Sequence, residues 1–107
     1  DMKQLKFSEP LPKLILQGKK HTTWRIHDKR GIKADDILSL CYNNGKEFAR
    51  VRTIKIRLTT FGKLTKEDKE GHEEFLSDKE MYQTYSKYYK IKVTPKTKVK
   101  IIKFKLI

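Results

Sequence analysis

The stretch FARVRTIKIRL, Phe48 to Leu58, is a strand whose apolar face changes side halfway along. Side chains alternate across a strand with a period of two, so Ala49, Val51 and Thr53 share one face while Ile54, Ile56 and Leu58 share the other. One extra residue at Thr53 and Ile54 reconciles the two halves. That is a β-bulge, which bends a strand as at the corner of a barrel. Upstream, Asn43-Asn44-Gly45 joins this strand to a β-rich run at Ile37, Leu38 and Leu40, because Asn-Gly supplies the positive φ angles of a tight primed hairpin turn. Downstream, TKVKIIKFKLI places Val99 and Ile101 on one face, slips phase at Ile102, and resumes with Phe104 and Leu106. This second slip predicts another bent strand, one that closes the sheet.

The remaining elements fit around these three. Leu5 and Phe7 alternate with Lys6 in a short first strand. Ser8, Glu9, Pro10 and Pro12 suit a helix entrance, Leu14, Ile15 and Leu16 form its apolar body, and Gly18 supplies a left-handed stop. TTWRI is β-rich, and a polar connection through Asp36 follows it. Leu64-Thr65 with Asp68, and Ser77 with Glu80, read as two capped helix starts. The second helix carries Met81, Tyr85, Tyr88 and Tyr89 at helical spacing, with Tyr82 and Lys87 on its flanks. Such a stripe is core or groove wall first, and a partner-binding surface second. The order predicts an α+β chain, a mainly antiparallel β-barrel with flanking short helices, in one domain over residues 2–107. Asp1, ahead of Met2, reads as a cloning remnant.

Twenty-six Lys and Arg oppose thirteen Asp and Glu in the 107 residues, a formal charge of +13. Self-repulsion of that size opposes folding, so the charge points to a polyanionic partner such as RNA. Lysine enrichment also accompanies adaptation to heat, without any partner. Cys41 is the only cysteine, which excludes an intramolecular disulfide or a CxxC metal knuckle and favours a reducing, cytoplasmic setting. No apolar run approaches the roughly 20 residues of a membrane span. His21, His27 and His72 lack ligands at metal-like spacing, so neither metal nor cofactor is expected. Oligomeric state leaves no mark in the sequence.

The densest chemistry lies in GKKHTTWR, Gly18 to Arg25, at a helix stop that runs into a strand. LILQGKKHTTWR resembles the signature of the ASCH domain family, G-x-K-x-x-[T or E]-x-R after an apolar helix, through Gly18, Lys20, Thr23 and Arg25. IKADDILSL and LTKEDKEGHEEF are similar to later parts of that family's pattern, with Asp35 standing where a glycine is customary. The resemblance implies a PUA-like fold with a cleft between barrel and helices, and RNA binding. It also implies a second activity, found among small members that deacetylate 4-N-acetylcytidine with a Lys, a Thr and a Glu. Carried over, these are Lys20, Thr23 and Glu70, with Glu73 or Glu74 reached through a gap.

Two functional readings follow. As an RNA-binding cleft, Lys19, Lys20 and Arg25 hold phosphates, Thr22 or Thr23 donates hydrogen bonds, Gly18 shapes the turn, and His21 or Trp24 stacks on an unpaired base. Lys13, Lys29, Arg30 and Lys33 extend the positive mouth, and Arg50, Arg52, Lys55 and Arg57 add a basic strand face. Trp24 alternates away from Thr23 and Arg25, however, which also suits a core residue. As a hydrolase, Thr23 is the nucleophile, Lys20 its base once Lys19 and Arg25 lower its pKa, Glu70 a proton shuttle, and Arg25 or an amide near Gly18 the oxyanion donor. Clustered charge makes RNA the first reading and the modified-nucleoside amidohydrolase the alternative.

Overall fold

The computed structural model describes residues 2–107, and Asp1, with its reading as a cloning remnant, lies outside them. Five strands, β1 (Lys3–Phe7), β2 (Thr22–Arg25), β3 (Ile37–Tyr42), β4 (Glu47–Thr60) and β5 (Lys98–Leu106), form one sheet in the order β1-β3-β4-β5-β2. All neighbours are antiparallel except β1 and β3. The sheet curls into a half-barrel whose edge strands, β1 and β2, approach without a backbone ladder. Instead Arg25 Nη2 of β2 donates to the Lys6 carbonyl of β1 at 2.9 Å.

The bulge falls where the parity of β4 requires it. Thr53 pairs with Phe104 and Lys55 with Lys103, leaving Ile54 as the extra residue, exposed on the outside. In β5 the same kind of signal has a different cause. Residues 98–106 pair without an insertion, but Ile102 and Phe104 enter one apolar cluster while Val99 and Ile101 enter another. The expected bend in β5 is therefore a strand covered on both faces, for which apolar residues on both parities are the rule.

The first cluster fills the inside of the curl with Leu5, Phe7, Ile15, Ile32, Leu38, Leu40, Val51, Ile102 and Phe104. Each such buried side chain contributes about 1.5–3 kcal/mol. Helix α1 (Leu11–Leu16) plugs one end through Pro12 and Ile15. The second cluster joins Trp24, Ile26, Phe61, Val99 and Ile101 to Met81 and Tyr85 of helix α3 (Asp78–Tyr89). Tyr82 and Tyr89 pack partly against it and only Tyr88, 57% exposed, faces solvent, so the tyrosine stripe is wall and core rather than an open partner surface.

Local chemistry sets the turns. Thr65 and Asp68 form a reciprocal capping box on helix α2 (Lys66–Lys69), and the Ser77 hydroxyl accepts the Glu80 amide at the start of α3. The Asn43–Gly45 hairpin forms, but with a different turn. Only Gly45 has positive φ (89°), and its amide donates to the Tyr42 carbonyl at 2.9 Å. The turn is thus of the longer kind with a left-handed glycine, and Phe48 becomes an extra residue opposite Leu40 and Cys41.

Candidate functional site

Helix α1 ends in a Schellman motif. The amides of Gly18 and Lys19 donate to the carbonyls of Ile15 (3.0 Å) and Leu14 (2.9 Å), with Gly18 at φ 75°. This reversal buries Lys20 to 3% exposure, while Lys19 and His21 on either side stay exposed. It also commits the amides near Gly18 to the helix end, which removes them as oxyanion donors.

From Thr22 the chain alternates. Trp24 goes to the second cluster, its indole N–H donating to the Asp68 carbonyl at 3.0 Å and its ring stacked 3.6 Å from the His72 imidazole. Trp24 is therefore a core residue and does not offer a free stacking face. Thr23 and Arg25 turn to the other side, where they line a cavity of about 220 Å³ with Lys20, Glu73, Phe7 and Tyr85. Tyr88 and Tyr89 of α3, with Lys6, Leu11 and Asn43, add to its wall, and Trp24 borders it as well. The cavity sits at the seam between β1 and β2, under α3. Its guanidinium, 4.8 Å from the Phe7 ring centre, is Arg25's. The Thr23 hydroxyl has no hydrogen-bond partner among the described residues, although every fully enclosed side-chain polar atom there has one, so it opens toward the cavity.

The carboxylate beside Lys20 belongs to Glu73. Lys20 Nζ donates to Glu73 Oε2 and, at 2.7 Å, to the Thr22 carbonyl. Glu70, the first candidate, contributes its backbone instead: its carbonyl accepts from the Thr22 hydroxyl at 2.6 Å and from Lys103 Nζ at 3.2 Å. Glu70 and Glu74 border a second groove of about 580 Å³, which Glu73 and Trp24 also line. Between residues 70 and 73, Gly71 adopts φ 76° and its carbonyl accepts the His21 and Thr22 amides. That left-handed step turns the chain and delivers Glu73 to the lysine.

Burial pulls the Lys20 amine down from its ordinary 10.5 to about 8, with Glu73 opposing the shift and Arg25 adding to it. Desolvation does this, rather than the repulsion from Lys19 expected from sequence. Burial works against the charge of Glu73, yet Lys20 and then His72 hold its carboxyl below the usual range. The pair is thus ionised near neutrality, with a loosely held proton on the lysine. Burial, followed by the charge of Lys20, takes His72 down to about 4, so its ring is neutral at pH 7. Asp68, gripped by Arg57 at 2.8 and 2.9 Å, falls to about 2 and is a structural anchor that sequence reasoning noted only as a helix cap. His72 is a further support residue that no spacing revealed, whereas Tyr85 belongs to the stripe whose helical spacing predicts core or groove wall. Among the described residues no group of three His, Cys, Asp or Glu could hold a metal ion, and no helix is long and apolar enough to cross a membrane.

A family model described as the ASCH domain matches residues 2–107. Among solved structures, hypothetical protein PH0355 is 28% identical over the whole of both chains, with a TM-score of 0.76. Protein PF0455 from Pyrococcus furiosus is 26% identical over 100% of this chain and 98% of its own, with a TM-score of 0.68. An ASCH domain from Lactobacillus crispatus, 12% identical over 89% of this chain and 69% of its own, shares the fold at a TM-score of 0.68. No curated protein matches the sequence. With the half-barrel, the helix-stop lysine and a family match along the described length, the chain belongs to the ASCH domain family.

Proposed function

We propose that the chain removes the acyl group from an N-acylated nucleoside of the 4-N-acetylcytidine type, held in the cavity of Lys20, Thr23, Arg25 and Glu73. One observation carries this: a buried lysine brought to about 8 shares a hollow with a threonine hydroxyl that has no partner among the described residues. With a pKa near 8, roughly a tenth of the lysine is neutral at pH 7, enough for a base. A hollow of about 220 Å³ is large enough to admit a single-ring base.

In the reaction, neutral Lys20 takes the Thr23 hydroxyl proton as Oγ1 bonds to the acyl carbon. The carbonyl electron pair moves onto oxygen, where the Arg25 guanidinium stabilises it. The C–N bond then breaks, and the leaving amine takes the proton from the Lys20 ammonium. Water, deprotonated by Lys20, releases the acid from the threonine ester and restores the hydroxyl. Glu73 holds the lysine in place and balances its charge. The test is release of cytidine from 4-N-acetylcytidine; no turnover, or full activity in Thr23→Ala, overturns the reading.

A second reading, RNA binding, draws on a different surface. Lys20 is buried and ion-paired and is not free to grip phosphate, but a groove of about 390 Å³ is bordered by Lys66 and Lys103, with Lys55 and Arg57 there beside their acidic partners Glu67 and Asp68. Phosphate contacts there would make affinity for single-stranded RNA fall by about 0.7 log units per contact for each decade of salt. A flat salt response, or unchanged binding in a Lys55→Glu, Lys66→Glu variant, refutes it.

A further inference from the structure

One part of the cavity wall, at Tyr85, has a fixed hydrogen-bond polarity. His72 Nδ1 lies 3.0 Å from the Glu73 carbonyl and 3.6 Å from its carboxylate, both of which only accept. Nδ1 must therefore carry the ring proton, and since the ring is neutral, Nε2 carries none. Nε2 is 2.9 Å from the Tyr85 hydroxyl, so Tyr85 is the donor in that bond. Stacking on Trp24, with planes 11° apart, fixes the imidazole in this orientation. Burial keeps the phenol protonated. Tyr85 lines the cavity, and with its proton given to His72 its oxygen can only accept from a ligand. The neighbouring Tyr89 is wired the other way: its oxygen accepts the Ile26 amide at 3.2 Å and keeps its own proton to donate. Arg25 adds further donors.

We propose that Tyr85 is a specificity-determining residue whose oxygen accepts the N–H on the exocyclic nitrogen of an aminopyrimidine, while Tyr89 and Arg25 serve ring and carbonyl acceptors. The site thus selects bases with nitrogen at position 4 and rejects those with oxygen there, whose lone pairs would meet those of Tyr85. This assignment rests on the nucleoside reading of the cavity, but it is read out by binding rather than by hydrolysis.

Cytidine and uridine have the same size and differ at that position, which makes them the probes. Calorimetric titration of the wild-type chain should show cytidine binding at least about ten-fold tighter than uridine, because a buried acceptor facing an acceptor is left without a partner. Tyr85→Phe should bring the ratio close to one, with folding checked by its melting curve. No preference in the wild type, an unchanged preference in Tyr85→Phe, or no binding of either nucleoside overturns the assignment. If Tyr85→Phe does not fold, the wild-type ratio alone decides. Cytidine preference without turnover of 4-N-acetylcytidine would leave Tyr85 standing and remove the hydrolase, and turnover without preference would do the reverse.

Discussion

Replacing Lys20 with methionine separates what this lysine does for the fold from what it does for chemistry. Its amine is taken from 10.5 to about 8, mainly by burial. At about 1.36 kcal/mol per pKa unit, keeping the ammonium inside opposes folding by roughly 3 kcal/mol at neutral pH. The folded pKa lies below the unfolded one, so between pH 8 and 10.5 the unfolded chain holds more protons and stability rises with pH. Methionine fills similar volume without a charge to desolvate. Against that gain, Glu73 loses its partner; its side chain is 29% exposed, so water replaces part of the loss. The expected net effect of Lys20→Met at pH 7 is a gain of about 1–2 kcal/mol, or roughly 5–10 °C in melting temperature for a domain of this size. Urea unfolding followed by the fluorescence of Trp24, the sole tryptophan and a buried one, measures the free energy, and thermal unfolding on the same signal the melting temperature. The decisive feature is the difference between wild type and variant, in which tyrosine and surface-lysine titration cancels. It should shrink as pH rises from 8 and change sign before 10.5, because the wild type regains roughly 3 kcal/mol over that window against an advantage of about 1–2. Parallel curves for the two proteins across that window would refute the account of Lys20 as a strained, desolvated base.

Further outcomes follow from other sites. If Lys20 is the base, kcat/KM for 4-N-acetylcytidine should rise with pH around a midpoint of about 8, and a profile flat from pH 6 to 9 excludes it. Asp35 holds φ 68°, so Asp35→Gly should stabilise by about 1 kcal/mol in urea unfolding; a loss would show that the carboxylate has a compensating role. Gly71→Ala should lose about 1–2 kcal/mol from its φ of 76°, and its added Cβ would run into the His21 ring, which must swing aside. Activity should fall as well, since Glu73 follows this turn. His72 is held at about 4 against an ordinary 6.5, so stability is full above pH 6.5 and declines as pH falls toward 4; His72→Phe should flatten that part of the urea–pH profile.

How far the sequence carries depends on whether a feature leaves a periodic trace. The bulge at Ile54 does, because one inserted residue reverses the parity of everything after it. The Val99–Phe104 run leaves an identical trace for another reason, since a strand buried on both faces also puts apolar residues on both parities. Alternation in β2 sorted Trp24 from Thr23 and Arg25 correctly, because strand geometry is local. Glu73 left no such mark. Its position depends on a left-handed step at Gly71 and on a carbonyl–amide contact some fifty residues away in the chain, so the family pattern carried over without a gap puts Glu70 first. The burial of Lys20 is equally silent, as lysines are almost never fully buried without a partner and the partner here is remote in sequence.

That remote partnership is built mainly from backbone. β2 is an edge strand, and the segment from Asp68 to Glu73 covers its open side: Trp24 donates to the Asp68 carbonyl, Thr22 to the Glu70 carbonyl, and the His21 and Thr22 amides to the Gly71 carbonyl. An uncovered edge would offer unpaired amides to another chain. The same contacts that seal the edge bring a carboxylate against a lysine buried by the Schellman turn, where the Thr22 carbonyl gives the amine a second acceptor besides Glu73. This explains how a buried ammonium can sit at about 8 and still be held in place. Peptide groups on a packed sheet, with the Trp24 indole and the Thr22 hydroxyl, fix the position of the segment that carries Glu73. If Lys20 is the base, it cycles between charged and neutral forms, and these contacts do not depend on its charge.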